Sequence, residues 1–386
     1  MISTADIAII GGGVQGASLA YHLARAGAGK IVLLEKNYIA SGPTAKSSAM
    51  IRPLFTDAVY IQLVQAAIAR FENWDEWVGG DPGFVQTGFL RIADGLGADA
   101  PAAFPDFDLD LMQSLGAEFE ILPAAELSAL AAGAEFRGDE RGIFFPRGGC
   151  ADPVSSTLSL AAAARRHGVE IIEGVSVTGI QVEQGRIHSI QTDGGQISTR
   201  TVVNCGGSWG HRIAALAGVQ LPIEIHRVPV CLFRRPVDIK VDSPVLSDGV
   251  NQIVLLKADE KSLRAGFFSM EPELADPDTY DETLDPGQVD LFRKGLHPRY
   301  AGMRRTGFVG GLSAIYDMTP DGHPIVGQSP EVEGFWINCG WSGNGFASAS
   351  VFGGCLAAEI LGSGSEIDLS LFKWPRSSGV KNRLNV

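Results

Sequence analysis

Three glycines and one acid carry the first chemistry legible in this chain of 386 residues. An apolar run, Ile7 to Ile10, leads straight into Gly11-x-Gly13-x-x-Gly16, and a helix-period segment from Ala17 to Arg25 follows. A second apolar run, Ile31 to Leu34, ends in Glu35, with Lys36 behind it. Gly11 permits the tight turn out of a strand, Gly13 lets backbone approach a pyrophosphate, and Gly16 lets the helix pack closely on a sheet. The helix N-terminus, through Val14 and Gln15, then offers unpaired N–H groups and the positive end of its dipole to phosphate. Glu35 lies at about the usual ~20-residue remove and can accept from ribose hydroxyls. Glycines alone are a weak signal, because they are common in turns. Strand, turn, helix, strand and acid together read as a dinucleotide-binding unit.

Composition narrows the classes. A formal net charge of −13 argues against nonspecific nucleic-acid binding. No apolar run approaches the ~20 residues needed to span a bilayer. The short N-terminal apolar run lacks a basic lead and is consumed by the glycine motif, so it does not read as a signal peptide. The five cysteines, Cys150, Cys205, Cys231, Cys339 and Cys355, form no CxxC pair. Reduced thiols in a cytoplasmic protein are therefore expected, and no metal site. At 386 residues the chain is long for one core, so two domains, or one with a large insertion, are expected.

The elements that must position the motif follow along the chain. Gly42 to Arg52 reads as a polar loop, and Ile61, Val64, Ile68, Phe71, Trp74 and Val78 recur at helical spacing with their aromatics read as core. Residues 84–93 read as β structure, 95–110 as a loop and 124–134 as a short helix before a β-run at Gly142 to Pro146. Asp152-Pro153 starts a helix that runs to His167-Gly168. The β-runs Glu170 to Ile172, Val175 to Val182, Arg186 to Thr192 and Ile197 to Asn204 are separated by hairpin turns at Gln184-Gly185 and Asp193-Gly194-Gly195. Thr201 to Cys205 then enters Gly206-Gly207-Ser208-Trp209, a second strand-to-glycine turn, and a helix ending at Gly218. Alternating runs between 219 and 310 suggest an antiparallel sheet, and the acidic interval Glu271 to Pro286 reads as an exposed loop before a helix from Gly287. Gly307 to Ala314 and Phe335 to Cys339 read as strands, Gly340 to Gly345 as a glycine-rich turn, and Ala347 to Ile360 as a final helix. No internal repeat is visible.

Four blocks together resemble the FAD-binding D-amino-acid oxidase, glycine oxidase and sarcosine oxidase family over nearly the whole chain. They are Gly11-x-Gly13-x-x-Gly16 with Glu35, Val202-Val-Asn-Cys-Gly-Gly-Ser-Trp209, Tyr316-x-x-Thr-Pro-Asp-Gly-x-Pro-Ile-Val-Gly327, and Gly340-Trp-Ser-Gly-Asn-Gly-Phe346. The nearest flavour is the sarcosine oxidase and dimethylglycine dehydrogenase branch. The resemblance implies FAD rather than NAD, because the C-terminal strand and turn return to complete the cofactor site. It implies that Gly206, Gly207 and Trp209 belong to that site, and that Val177 meets adenine. Ser41, Gly42, Lys46, Ser47, Ser48 and Ala49 would run beside the ribityl chain and flavin. Backbone amides in the stretch Gly343, Asn344, Gly345, Phe346 and Ala347, after Gly340, would meet the flavin pyrimidine oxygen, where reduction builds negative charge.

The same resemblance supplies substrate candidates. Arg52 falls where sarcosine-oxidising members hold the substrate carboxylate, a task suited to a planar, permanently charged fork. The alternative is a structural ion pair. Tyr316 matches an active-site position and would help orient the reacting carbon, the alternative being a core tyrosine. Departures matter as much. Ala347 stands where a Lys completes the carboxylate clamp, Arg264 where a Lys serves oxygen activation, and Phe268 where a His is found. Arg keeps the charge that could stabilise superoxide but cannot shuttle a proton, which leaves both an oxidase and a dehydrogenase passing electrons to another acceptor open. Ala314 and Lys46 replace the Cys and His that carry covalent flavin, so non-covalent FAD is expected. His323 reads as a turn residue.

The expected architecture is α/β: a Rossmann-like FAD-binding domain from 1–80, 148–218 and 318–372, and a mostly antiparallel β-sheet substrate domain from 81–147 and 219–317. The expected activity is oxidation of the C–N bond of a secondary or N-methyl amino acid to an imine, by hydride transfer to flavin N5. O2 or another acceptor would take the electrons. Two alternatives stay open: a 2-hydroxy-acid or polyol-phosphate dehydrogenase, or the FAD-binding subunit of a hetero-oligomeric amine dehydrogenase. The partners expected are a small amine or amino acid and, in a homo- or hetero-oligomer, other chains.

Overall fold

Strands buried on both faces read as continuous apolar runs, and Ile7–Ile10 and Ile31–Glu35 are buried at all but the last position. In the computed structural model, which describes residues 3–93, 104, 106–267 and 273–376, these two strands lie side by side and parallel in a six-stranded sheet. Its order is Ile325–Gln328, Phe335–Cys339, Thr201–Asn204, Ile7–Ile10, Ile31–Glu35 and Glu170–Glu173, and only the first pair is antiparallel. The hairpin strands Val177–Glu183, Arg186–Thr192 and Gly195–Ser198 form a separate three-stranded sheet, and Gln184 and Gly185 both have positive φ, as a two-residue turn requires.

The helices Val14–Arg25 and Gly345–Ile360 pack together on this sheet at very close range. Ser18 Oγ donates to Ala349 O at 2.6 Å, and a Cβ on Gly353 would come within 2.3 Å of Ser18 Oγ. Helix Pro153–Arg166 covers the first helix from another side, with Asp152 capping it through Ser155 N.

A second, nine-stranded sheet runs Glu273–Leu274, Glu224–Arg234, Ser262–Phe267, Ile253–Lys257, Val245–Asp248, Phe89–Ala93, Arg141–Phe145 and Glu120–Pro123, with Phe308–Met318 paired to the other edge of Glu224–Arg234. All its pairings are antiparallel except that of Val245–Asp248 with Phe89–Ala93. Beneath it Arg299 is buried between Glu140 and Asp248, with both carboxylates within 2.7 Å of its guanidinium.

Several elements differ from the sequence reading. The apparent β-run 197–204 is two strands in two sheets, because Thr199 turns the chain and its Oγ1 donates to the backbone of Asp6 and Thr201. Only Phe89–Ala93 of 84–93 is strand, since Gly88 takes a positive φ of 84°. The helical stripe of 61–78 breaks at Asn73 into Ala58–Glu72 and Trp74–Trp77. The polar loop 42–52 contains a helical turn, Pro43–Lys46, and a two-residue strand, Met50–Ile51, paired with Gly149–Cys150. The loop expected over 95–110 falls largely outside the described residues, and its end enters the helix Leu109–Ser114.

Acid should loosen the contact between the first and last helices. His22 Nε2 lies 2.9 Å from Ser350 O and 3.2 Å from Arg70 Nη1. Burial first, then Arg70 and Arg25, depress its pKa to about 4 against the partial opposition of the Ser350 carbonyl. The unfolded chain therefore binds a proton below pH 6.5 that the folded chain refuses until about pH 4. Stability falls as pH drops through this window, by about 2 kcal/mol after allowing for partial exposure of the ring. His22→Gln should shrink the loss of Tm between pH 7 and 4.5. An unchanged acid loss would show that other groups set it.

Candidate functional site

The glycine turn opens a cleft of about 440 Å³ between the two sheets. Gly11, at φ 112°, sits so tightly that a Cβ would meet Cys205 O at 2.4 Å, and a Cβ on Gly16 would meet Gly11 O at 2.0 Å. Neither position tolerates a side chain, so turn and helix start are fixed by backbone contact. Gly13 is the N-cap of the first helix and has no side chain to cap it, although Thr44 Oγ1 accepts from the first-turn amide Val14 N at 3.2 Å. The first-turn amides and the positive end of the helix dipole thus open on the cleft. On the wall of the same cavity the helix Gly345–Ile360 also starts without a side-chain cap from its N-cap residue. Gln15 ties the two helix starts together, its Nε2 donating to Gly345 O at 2.7 Å.

Glu35 closes the nucleotide end. Its Oε2 accepts from Gly12 N at 2.7 Å and its Oε1 from Asn37 N at 2.9 Å, which aims the carboxylate along the cleft wall. Among the predicted residues, Gly11, Gly13, Val14, Gln15, Glu35, Lys36, Ser41, Gly42, Lys46, Ser47, Val177, Gly206, Gly207, Trp209, Tyr316, Gly343, Gly345 and Phe346 line the cavity. Gly16, Ser48, Ala49, Gly340, Asn344 and Ala347 stand behind its surface in the same turns and helix starts.

The substrate candidates are placed less uniformly. Tyr316 faces the cleft and packs against the glycine-rich turn, so that a Cβ on Gly343 would lie 2.8 Å from its ring. Arg52 is buried behind the wall, with Nη1 donating to Leu54 O at 2.5 Å and its guanidinium over the rings of Phe55 at 4.7 Å and Phe89 at 5.8 Å. Burial, and then the like charge of Arg91, lower its pKa to about 10, while Tyr316 acts to raise it. Arg52 therefore stays cationic at neutral pH, behind the wall that Tyr316 lines. Tyr316 in turn is raised by burial, against the pull of Arg52. Arg264 reaches across from the large sheet, and its Nη1 donates to Ser47 O at 2.7 Å. Phe268 lies outside the described residues.

Sequence reasoning missed a group of residues whose roles depend on tertiary contact. Thr44 Oγ1 accepts from Val14 N at 3.2 Å, and Asn338 bridges Gln15 and Trp341. Asp317 sits at the flank of the glycine-rich turn, accepting from Gly340 N at 2.7 Å and Trp341 N at 3.2 Å. The interval read as an exposed acidic loop is tied down in its described part. Asp278 accepts from Lys36 Nζ at 3.0 Å, Trp209 Nε1 at 2.7 Å and Arg212 Nη1 at 2.5 Å. Glu282 and Tyr280 both accept from Lys46, whose pKa burial lowers but these partners raise overall. An acidic strap thus spans four cleft-lining residues. Its alternating acids sit among Pro and Thr, a pattern that sequence alone reads as solvated.

The chain matches the family of FAD dependent oxidoreductases over residues 6–359, and it belongs to that family. It is 28% identical over 388 residues to mouse mitochondrial sarcosine dehydrogenase, a match covering 95% of this chain but only 41% of that protein. The chain thus spans about two-fifths of the length of these dehydrogenases. Sarcosine oxidase subunit beta of Rhizobium meliloti (strain 1021) is 26% identical, over 91% of this chain and 83% of that one. In fold it is similar to L-proline dehydrogenase from P. horikoshii, with a TM-score of 0.88 at 23% identity and 97% of each chain covered. Glycine oxidase from Geobacillus kaustophilus superposes with a TM-score of 0.82 at 22% identity over 97% of this chain and 99% of that one. FAD is the cofactor of the family. The uncapped helix starts, the glycine turns that exclude side chains and the carboxylate aimed along the wall fit such a dinucleotide.

The strap should govern how long FAD is retained. Exposed ion pairs are individually weak, about 0–1 kcal/mol, so removing the acceptor shared by three donors is worth several-fold rather than orders of magnitude. Asp278→Ala is expected to speed FAD loss about fivefold in low salt, followed by flavin fluorescence after dilution. The difference should narrow in about 1 M NaCl, where the screening length is ~3 Å. Equal rates in low salt would refute the strap's part in retention.

Proposed function

We propose that this chain is an FAD-dependent amine or amino-acid oxidoreductase acting on the C–N bond of a secondary or N-methyl amino acid. The observation that carries this reading is Tyr316 on the wall of the cleft onto which both helix starts open, packed against the glycine-rich turn, with the cationic Arg52 buried behind that wall. Relatives named for sarcosine and dimethylglycine support the substrate class. On this reading the first-turn amides of helix Val14–Arg25 hold the pyrophosphate, Glu35 the ribose and Val177 the adenine. The loop from Ser41 to Ala49 and the turn from Gly340 to Ala347 enclose the flavin. FAD held there would supply the acceptor for a hydride equivalent from the carbon beside the substrate nitrogen, the substrate leaving as an imine that water would hydrolyse.

The protein's task is then to bind and orient. Arg52 supplies the charge that attracts the carboxylate, and Tyr316 presents a phenol that stays protonated at neutral pH and can donate a hydrogen bond. With Ala347 buried in the last helix, no second cation completes a clamp from that position. Ala314 on the cleft wall and Lys46 under the strap supply neither thiol nor imidazole, so FAD is held without a covalent bond. Arg264, committed to the Ser47 carbonyl, keeps positive charge near this loop but moves no proton, which favours an acceptor other than O2. The five free cysteines suit a reducing compartment such as the cytoplasm.

A second reading is favoured by the match to most of the length of sarcosine oxidase subunit beta: an FAD-bearing subunit that turns over only with partner chains. Anaerobic bleaching of the flavin separates the readings. A panel of sarcosine, other N-methyl amino acids, D-amino acids, proline, amines without a carboxylate and 2-hydroxy acids would be mixed with the purified protein. Bleaching by an N-methyl amino acid or proline supports the proposal, and readmitting air then tells oxidase from dehydrogenase. Bleaching only by a hydroxy acid overturns it. Bleaching that appears only once co-purifying chains are restored supports the subunit reading. Arg52→Ala is expected to raise the substrate KM at least tenfold while FAD content changes little, as the loss of a charge-assisted bond predicts. Acid precipitation should release all the flavin into the supernatant.

A further inference from the structure

Asp317 is a buried carboxylate on the cleft wall. Its residue is 9% exposed and it lines the cavity next to Tyr316. Among the described residues its carboxylate is answered by backbone amides, those of Gly340 and Trp341 through Oδ2 and its own, and no Lys or Arg acts on it. A buried charge without a counter-ion is costly, and structures keep one only where the surroundings over-determine it.

The turn that Asp317 grips carries a strained residue. Gly340, Ser342 and Gly343 all have positive φ, at 74°, 49° and 85°. A non-glycine residue in that region is uncommon, so Ser342 needs external support. It receives it from the same strand end: Ser342 N donates to Asp317 O at 3.0 Å, and Ser342 Oγ accepts from Thr319 N at 3.1 Å. Directly after this turn the helix Gly345–Ile360 begins, with its uncapped start on the cleft. Two opposed fields therefore meet here. The helix start favours negative charge in the cleft, and an ionised Asp317 opposes it. Burial raises the Asp317 pKa to about 6, with the Gly340 and Trp341 amides pulling it back down, so the group is ionised at pH 8.

We propose that Asp317 is a positioning residue with two tasks: it holds the Gly340–Gly345 turn in its left-handed path, and its charge keeps the bound flavin harder to reduce than the turn and helix start alone would make it. The inference rests on the proposed reading that this turn encloses the flavin. It concerns this chain's own charge and does not depend on the substrate.

The test uses the holoenzyme at pH 8 and reads the flavin midpoint potential and the FAD dissociation constant. Asp317→Asn keeps an acceptor for the turn and removes the charge. It should shift the potential to more positive values with FAD affinity within about threefold of the starting protein. Asp317→Ala removes both and should also weaken FAD binding about tenfold, the worth of one to two hydrogen bonds. An Asn variant with the original potential would overturn the electrostatic task. Gly343→Ala is the companion variant, because its Cβ would press on the Tyr316 ring without altering charge. If Gly343→Ala changes the flavin spectrum and Asp317→Asn leaves the potential unmoved, the inference alone fails. If Gly343→Ala changes neither spectrum nor affinity, the placement of the flavin at this turn fails, and the inference with it.

Discussion

Everything at the site depends on how closely the first and last helices approach. The segments Val14–Arg25 and Gly345–Ile360 are separated by some 320 residues of chain, yet their starts must lie within one hydrogen bond of each other across the cleft. Small residues make this possible. Gly16 abuts the Gly11 carbonyl, Ser18 bonds Ala349, and Gly353 leaves no room for even a methyl against Ser18. Close packing of this kind is intolerant of added volume, so the geometry is fixed by exclusion more than by attraction. Gln15 then fastens the two starts directly through Gly345 O. The six-stranded sheet serves this contact: its strand order places Thr201–Asn204 beside Ile7–Ile10 and Phe335–Cys339 on the far side of Thr201–Asn204, and all three parallel strands enter glycine turns at the same end. Ligands in open parallel sheets bind beyond the carboxyl ends of the strands, and here three turns converge there.

Charge is distributed around the cleft in a consistent pattern. The backbone supplies the positive ends, from two helix starts. Side chains supply carboxylates at fixed places: Glu35 held by two amides, Asp317 held by two more, and Asp278 on the strap. The cations Lys36, Arg212 and Lys46 are all engaged by the strap, so they hold the mouth of the cleft rather than standing exposed within it. Arg52 and Arg264 are partly desolvated, and burial is the largest influence on each. A basic cleft would attract any anion. This one places backbone dipoles toward the cleft and keeps the Arg52 guanidinium over aromatic rings, which favours selectivity over raw attraction.

The local features of the chain were legible in its sequence because they arise from local causes. Buried parallel strands are apolar throughout, the Asp152-Pro153 helix start is set by capping, and the Gln184-Gly185 turn by backbone preference. The glycine motif could be read because steric exclusion leaves only one residue type at Gly11 and Gly16. What escaped was set by contact between distant segments. Thr199 ends a strand by bonding backbone in another sheet's vicinity, and nothing in the run 197–204 announces it. Asp278 and Glu282 look like solvated acids until Lys36, Arg212 and Lys46 arrive from elsewhere in the chain. Asp317 was passed over for the opposite reason. It lies inside a recognised block, beside Tyr316, where its neighbours drew the attention and its own role needs the fold of the following turn.

The departures from the family pattern gain physical meaning from these contacts. Arg264 is fastened to the Ser47 carbonyl, so its charge is anchored to the loop proposed to run beside the flavin, where a lysine would have a single mobile ammonium. Ala347 is buried in the first turn of the helix Gly345–Ile360, and its methyl group supplies no cation there. On the proposed reading, the burden of anion recognition then passes to Arg52, whose guanidinium is already stacked on Phe55 and Phe89 and bonded to Leu54 O. A fork held this rigidly loses little entropy on meeting a carboxylate, and Tyr316 presents its phenol on the cleft surface. One pre-organised cation and a protonated phenol suit a substrate bearing a single carboxylate beside the nitrogen being oxidised.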